Sequence, residues 1–492
     1  MTVDASPGRE AKGEKSPLLP QEHDAGAISA DDGGGGHIHR SVSWVLLSFL
    51  ILGEIAGQGV FALPLHLGRL GWLAGTVTCV GALVLNNVSL RIMYEVSRRL
   101  PDCRSQGDLA GTLFGTAGRA FARVVISLYL FSTLSAYLNS LGRTIMNEMY
   151  STRVCLPAAT AAALVVLIPF AQLRSYGDIT SISLVSFAAV LILVGLIMSA
   201  SSHVERDATA TTSFWPPSNL VDSLTSVGGF FFASGGGQCA FFEYLSEMER
   251  PQDYHRTLWL TTPMLLVLYF GTAATMYSRF GDKVPGFLLD ILPFDSTRLL
   301  GNSLFFFHII VSFTILNTAL LRGYASYSVT DNSWAAKREW GMMSAVVLGG
   351  AYVVTNIFSV FEDMTAALGA LLVTTVVLIF PPVYLLSAAR LARGGDASVE
   401  SGEGAEGGGG DGIGRGGGDG KGGVGGEGGS LGTATWVGLY LMILFGMVVI
   451  PMTVWGAMVR LIHDAQDTAP PFSCGPCVTQ QCIEQIKNVS SI

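Results

Sequence analysis

One carboxyl and two glycine-rich stretches hold most of the chemistry this chain can offer inside its apolar segments. Gly53-Glu54-Ile55-Ala56-Gly57-Gln58-Gly59-Val60-Phe61-Ala62-Leu63-Pro64 sets the carboxyl among three glycines and a proline. Phe230-Phe231-Phe232-Ala233-Ser234-Gly235-Gly236-Gly237-Gln238 repeats the theme with three consecutive glycines. Both stretches lie in apolar runs, where hydrocarbon cannot satisfy the N–H and C=O groups of an unwound backbone. Such groups are tolerable only where they line a cavity or hold a solute, and glycine permits the close approach. Amides at the start of a half-helix suit a carboxylate, and exposed carbonyls suit an ammonium. A lone Gly-x-Gly is more often a helix contact through small residues. Two such interruptions at corresponding places in two halves of a chain point to a solute site.

Ionisable residues within the apolar runs are few. Glu54 sits beside the first interruption, where a charge costs roughly 2.5–3.5 kcal/mol on insertion scales, so a carboxyl that takes up and releases a proton is one reading. A protonated group that only bonds a neighbour is the plainer one. His308 reads first as a hydrogen-bonded core histidine and second as a proton relay. Glu243 lies near the end of the second stretch, as either a gate or a helix tie. Tyr129 and Tyr137 are candidates to line a path.

The elements that must position these residues are membrane helices. Of 492 residues, 50% are hydrophobic and only 13% charged, against about 25% charged in soluble domains, and mean hydropathy is +0.47. Apolar runs near 43–65, 70–96, 121–149, 156–171, 178–200, 223–245, 257–278, 299–325, 342–361, 366–387 and 434–458 approach the roughly 20 residues a crossing needs. They lack the alternation of a membrane β-barrel. A net charge of −8 without dense basic stretches excludes a nucleic-acid partner. The fold class expected is therefore all-α, with about eleven transmembrane helices in contact with lipid.

Lys and Arg orient them. About 20 of the 29 fall on one side when the N-terminus is placed in the cytoplasm, which sends the C-terminus outside after an odd number of spans. The domains expected are a disordered cytoplasmic tail (1–40), a ten-helix core (41–390), a Gly-rich cytoplasmic linker (391–432), helix 11 (433–460) and an outer or lumenal Cys-containing tail (461–492). The linker follows no strand and lacks a Gly-Lys-Ser/Thr ending, so it is no phosphate loop. Cys155, Cys474, Cys477 and Cys482 all fall on the outer side, where disulfides form. Cys474-x-x-Cys477 has no second pair to make a metal site. Asn488-Val489-Ser490 is a glycosylation sequon on that side. Glu14 with Leu18 and Leu19 forms an acidic dileucine pattern of the kind sorting adaptors bind.

Several motifs also recur in order. Gly57 to Pro64 with Leu70-Gly71-Trp72, Gly107-Asp108-Leu109-Ala110 with Phe114-Gly115, the run Phe230–Tyr254, Phe280 to Gly286, Asp290-Ile291-Leu292-Pro293, and Tyr352 to Pro381-Pro382 resemble the amino acid/auxin permease family. The resemblance covers residues 43 to about 458. It implies a LeuT-like core of five plus five inverted helices, with helices 1 and 6 discontinuous. By position, it implies that Gly57, Gln58, Gly59 and Val60 offer backbone donors to a substrate carboxylate. Ser234, Gly235 and Gly236 would face the amino group and side chain. Gly235 stands where many relatives carry an aromatic residue, which implies a larger side-chain pocket. Gly53 stands where sodium-coupled relatives place asparagine, which disfavours sodium.

The function this implies is secondary active transport of amino acids, with no cofactor or resident metal expected, H+ as coupling ion through Glu54 or His308, and Na+ as the alternative. Glu243 is the gate candidate. A membrane amino-acid sensor signalling through its cytoplasmic tail would use the same pocket. No nucleophile–base pair appears in the spans, so an enzyme is not expected. The dileucine pattern points to a vacuolar, lysosomal or endosomal membrane, and the plasma membrane is its alternative.

Overall fold

The structure, a computed structural model, describes residues 42–149, 154–174, 176–204, 207–328, 331–357, 366–403, 432–467 and 472. The sorting pattern at Glu14, Leu18 and Leu19, the sequon at Asn488 and the cysteines from 474 onward lie outside these residues.

The first helix, α1 (Trp44–Arg99), has 56 residues. At 1.5 Å per residue it is about 84 Å long, nearly three times the hydrocarbon thickness. It turns at Gly71, where φ is +72°. The turn is held by the 213–215 segment: Trp72 N donates to Ser213 O (2.9 Å) and Leu73 N to Phe214 O (3.0 Å). A Cβ on Gly71 would lie 2.5 Å from Trp215 O, so both conformation and space demand glycine here. The two arms are the first two expected spans.

The chain continues through α2 (Gln106–Glu148), kinked at Gly115, then α3 (Leu156–Phe170) and α4 (Tyr176–His203). Next come α5 (Leu220–Ser234) and α6 (Phe241–Glu247), two parts of one interrupted span. They are followed by α7 (Tyr254–Phe280), α8 (Ser296–Arg322), α9 (Trp334–Ile357), α10 (Ala366–Ala392) and α11 (Thr433–Asp467). Among the described residues, eight helices are long and apolar enough to cross a membrane and two are shorter; with α1 counted twice these give eleven crossings. The only strand pairing among the described residues is a bridge between Val42 and Met248. The protein is a multi-pass integral membrane protein.

Two boundaries differ from expectation. The helix beginning at Phe380 runs to Glu403, past residue 390 where the Gly-rich linker was expected to begin. Its Ala388-Ala389-Arg390-Leu391-Ala392 stretch is helix-favouring, and helix outlasts the apolar content that marked the span. The last helix likewise reaches Asp467 rather than 460.

Burial sorts the helices into centre and rim. In α1 and α8, 83% of the most apolar window is buried; in α11 the figure is 22%. The centre is thus α1 and α8 with α5, α7 and α4 packed against α1, while α11 is left uncovered by other helices along most of its apolar window. Arg460 of α11 pairs with Asp222 of α5. Cys155, at the N-cap of α3, is disulfide-bonded, and Cys79, Cys103 and Cys239 are free thiols.

Candidate functional site

The interruption between α5 and α6 is the conformational centre of the site. α5 ends at Ser234, Gly235 is extended (φ −92°, ψ 172°), and Gly236 has φ +131°. Only glycine holds that last value at little cost, and a Cβ there would also lie 2.7 Å from the Tyr129 hydroxyl. The loop is anchored to α1 and α2. Gln238 Nε2 donates to Asn86 Oδ1 (2.7 Å) and Ser89 Oγ (3.0 Å), and Gln106 Nε2 donates to Gln238 O (2.5 Å).

Helix 1 corrects the expectation. It was expected to be discontinuous like helix 6, yet α1 is helical from Gly53 through Pro64, and Gly71 is the residue with non-helical dihedrals inside it. Its glycines serve close approach. A Cβ on Gly57 would lie 1.4 Å from His308 Nε2, and one on Gly59 would lie 2.9 Å from the Tyr269 hydroxyl and 3.0 Å from Ala233 Cα. Packing from α8 and α7 thus reaches the α1 backbone and keeps the stretch wound. The carbonyls of Gly53 and Ile55, which address the Gly57 and Gly59 amides along the helix, each accept a further hydroxyl, from Ser312 (3.2 Å) and Tyr269 (2.8 Å). Pro64 offers no N–H to Val60 O.

The expected site residues converge here. Glu54 is 4% exposed and shares a hydrogen bond with Tyr137 of α2. Gln58 Nε2 donates to Ser140 Oγ of α2 (2.8 Å), and Val60 is fully buried. Ser234 Oγ turns back onto Phe230 O (2.9 Å), a bond that closes the last turn of α5. Gly235 does not open a larger pocket: a Cβ there would lie 2.1 Å from Val373 Cγ1 of α10, so Val373 fills the space that glycine leaves. The arm of α10 that does this is π-helical over Gly369–Val373 and Thr375–Ile379.

His308 is a hydrogen-bonded core histidine. Its Nδ1 meets Ser186 Oγ of α4 at 2.8 Å and its Nε2 meets Ser312 Oγ at 3.4 Å. Glu243 is half-buried on α6. The ion pair at this end belongs to Glu247, one turn further on, whose Oε1 lies 3.2 Å from Arg322 Nη1 at the end of α8. Arg322 also donates through Nη2 to Arg174 O (2.8 Å), and Val42 N donates to Glu247 O (3.2 Å). Four segments therefore close together where α1 begins. Sequence reasoning named Glu243 from its motif position, and nothing in the sequence distinguishes it from Glu247. Tyr269 was missed altogether, since a tyrosine in an apolar run looks like packing.

Residues 40–394 match the family described as transmembrane amino acid transporter protein. The chain belongs to this family. A transmembrane transporter of Fusarium pseudograminearum is 23% identical over 252 residues, 49% of this chain and 52% of that protein. Vacuolar amino acid transporter 3 of Schizosaccharomyces pombe is 26% identical over 48% of this chain and 36% of its own length. Amino acid transporter AVT1B of Arabidopsis thaliana is 21% identical over 76% of this chain and 69% of its own. The chain spans about half the length of the first of these relatives. Among solved structures, MhsT in complex with L-phenylalanine aligns with 85% of this chain and all of its own at a TM-score of 0.49 and 13% identity.

Proposed function

We propose that this chain is a secondary active transporter of amino acids, driven by protons and working by alternating access. The observation that carries the reading is the interrupted span at Gly235–Ala240, packed on the α1 stretch that carries the buried carboxyl Glu54: a Cβ on Gly237 would lie 4.0 Å from Ile55 Cδ1, and one on Gly59 3.0 Å from Ala233 Cα. Unpaired backbone is expensive in a membrane interior, and a solute that pairs with it is the natural reason for its presence. Carbonyls at the end of α5 suit an ammonium group. A carboxylate would take the Gly57–Val60 amides in a conformation where α1 opens, at a place where Pro64 already withholds one helical hydrogen bond. One relative named as a vacuolar amino acid transporter and another named as an amino acid transporter support the substrate class, and the first also supports an internal membrane. Closure at the α1 start through Glu247 and Arg322 fits a state sealed at the end the basic residues assign to the cytoplasm.

Glu54 is the carboxyl assigned to proton coupling. The test is uptake of a labelled amino-acid panel into proteoliposomes, with and without an imposed pH gradient. Glu54→Gln should keep exchange between equal pools and lose accumulation driven by the gradient. Accumulation that survives in Glu54→Gln would move the coupling elsewhere, with His308 next. Uptake that needs sodium instead of a pH gradient would replace the proton in this reading.

A further inference from the structure

Tyr269 of α7 enters the interrupted region between α1 and α5. It is 1% exposed, and its hydroxyl oxygen lies 2.8 Å from both the Ile55 carbonyl of α1 and the Ala233 carbonyl of α5. A hydroxyl has one proton to donate, so it cannot serve two carbonyls at full strength. The two acceptors differ. Ile55 O lies mid-helix, four residues before Gly59, and has that amide along α1. Ala233 is in the last turn of α5, and the chain leaves the helix at Gly235, so its carbonyl is one that a helix end leaves without an internal donor. Gly59 is what admits the hydroxyl, since a Cβ there would lie 2.9 Å from it. A single neutral donor thus sits between two carbonyls from two helices. A primary ammonium, with three N–H donors and a positive charge, would satisfy the same pair better.

We infer that the Tyr269 hydroxyl is a resident stand-in for the substrate's ammonium group. In the empty protein it caps Ala233 and ties α5 to α1; when an amino acid binds, the ammonium takes the carbonyls and the hydroxyl is released. The inference rests on the amino-acid transport reading above. It makes Tyr269 a positioning residue that also competes with substrate. Removing the hydroxyl then has opposite effects on the two states. The empty protein loses a tie, and the loaded protein loses a competitor. A residue that only supports the fold would weaken both.

The experiment uses the purified full chain in detergent, comparing wild type with Tyr269→Phe. Melting temperature is measured without ligand and across concentrations of each amino acid in the panel, and of the matching acids that carry hydroxyl or hydrogen in place of the amino group. Tyr269→Phe should melt lower when empty, yet bind its amino acid with a Kd lower by about tenfold, the factor that one hydrogen bond of ordinary net strength carries. The analogues without an amino group should gain nothing. A weaker or unchanged Kd in Tyr269→Phe, beside a clear amino-acid shift in wild type, overturns the inference and leaves the transport reading standing. An equal gain for the analogues also overturns it. A wild-type protein that no amino acid stabilises overturns the transport reading and this inference together.

Discussion

The two glycine-rich stretches of this protein look alike in sequence and behave differently in structure. Gly57 and Gly59 sit in unbroken helix, whereas Gly236 stands at φ +131° in a real interruption. In α1 the absent side chain makes room for His308, Tyr269 and Ala233 from neighbouring helices. At Gly236 it is the backbone itself that excludes other residues. Glycine therefore answers to two demands, space and conformation, and a partner side chain can relieve only the first.

The largest effect is expected where space is tightest. Gly57→Ala places a Cβ 1.4 Å from His308 Nε2, and overpacking of this kind should cost about 3 kcal/mol, well beyond the roughly 1 kcal/mol that alanine gains in a helix. Melting temperature of the purified variant reads the loss. Adding His308→Ala should return much of it, because the conflict is with a side chain. A double variant no more stable than Gly57→Ala alone would mean that Gly57 is held for its backbone after all.

Gly236→Ala should cost about 1–3 kcal/mol from the strained dihedral, with a further conflict at the Tyr129 hydroxyl. Here Tyr129→Ala should recover little, since removing a neighbour leaves φ where it is. Full recovery would erase the distinction between the two stretches. Gly237→Ala should be the mildest change. Its nearest neighbour would be Leu90 Cδ1 at 3.6 Å, an ordinary contact, so melting should shift by no more than about 0.5 kcal/mol in equivalent stability. A large loss would show that the whole triple glycine, and not Gly236 alone, sets the interruption.

Much of the architecture was legible because a bilayer imposes one length on every crossing. The apolar runs at 43–65 and 70–96 are the two arms of α1, and Gly71 falls between them. The interruption of helix 6 was legible from Ser234 to Gly237, where three glycines in a row leave helix little support. Glu54 stood out because a carboxyl in hydrocarbon needs a reason. The Glu247–Arg322 pair was not legible. Glu243 and Glu247 are one turn apart on one short helix, and which of them meets Arg322 depends on how α6 is rotated against α8.

Composition and apolar run length determined by themselves that this chain crosses a membrane as helices, and the order of motifs determined its family. They did so because hydrocarbon accepts few backbone solutions, and each leaves its period and length in the sequence. Tertiary structure alone decided that helix 1 stays wound, that Val373 fills the space above Gly235, and that Tyr269 reaches the carbonyls of Ile55 and Ala233. Those contacts join residues far apart along the chain, and a glycine or a tyrosine reads the same whichever neighbour it will meet.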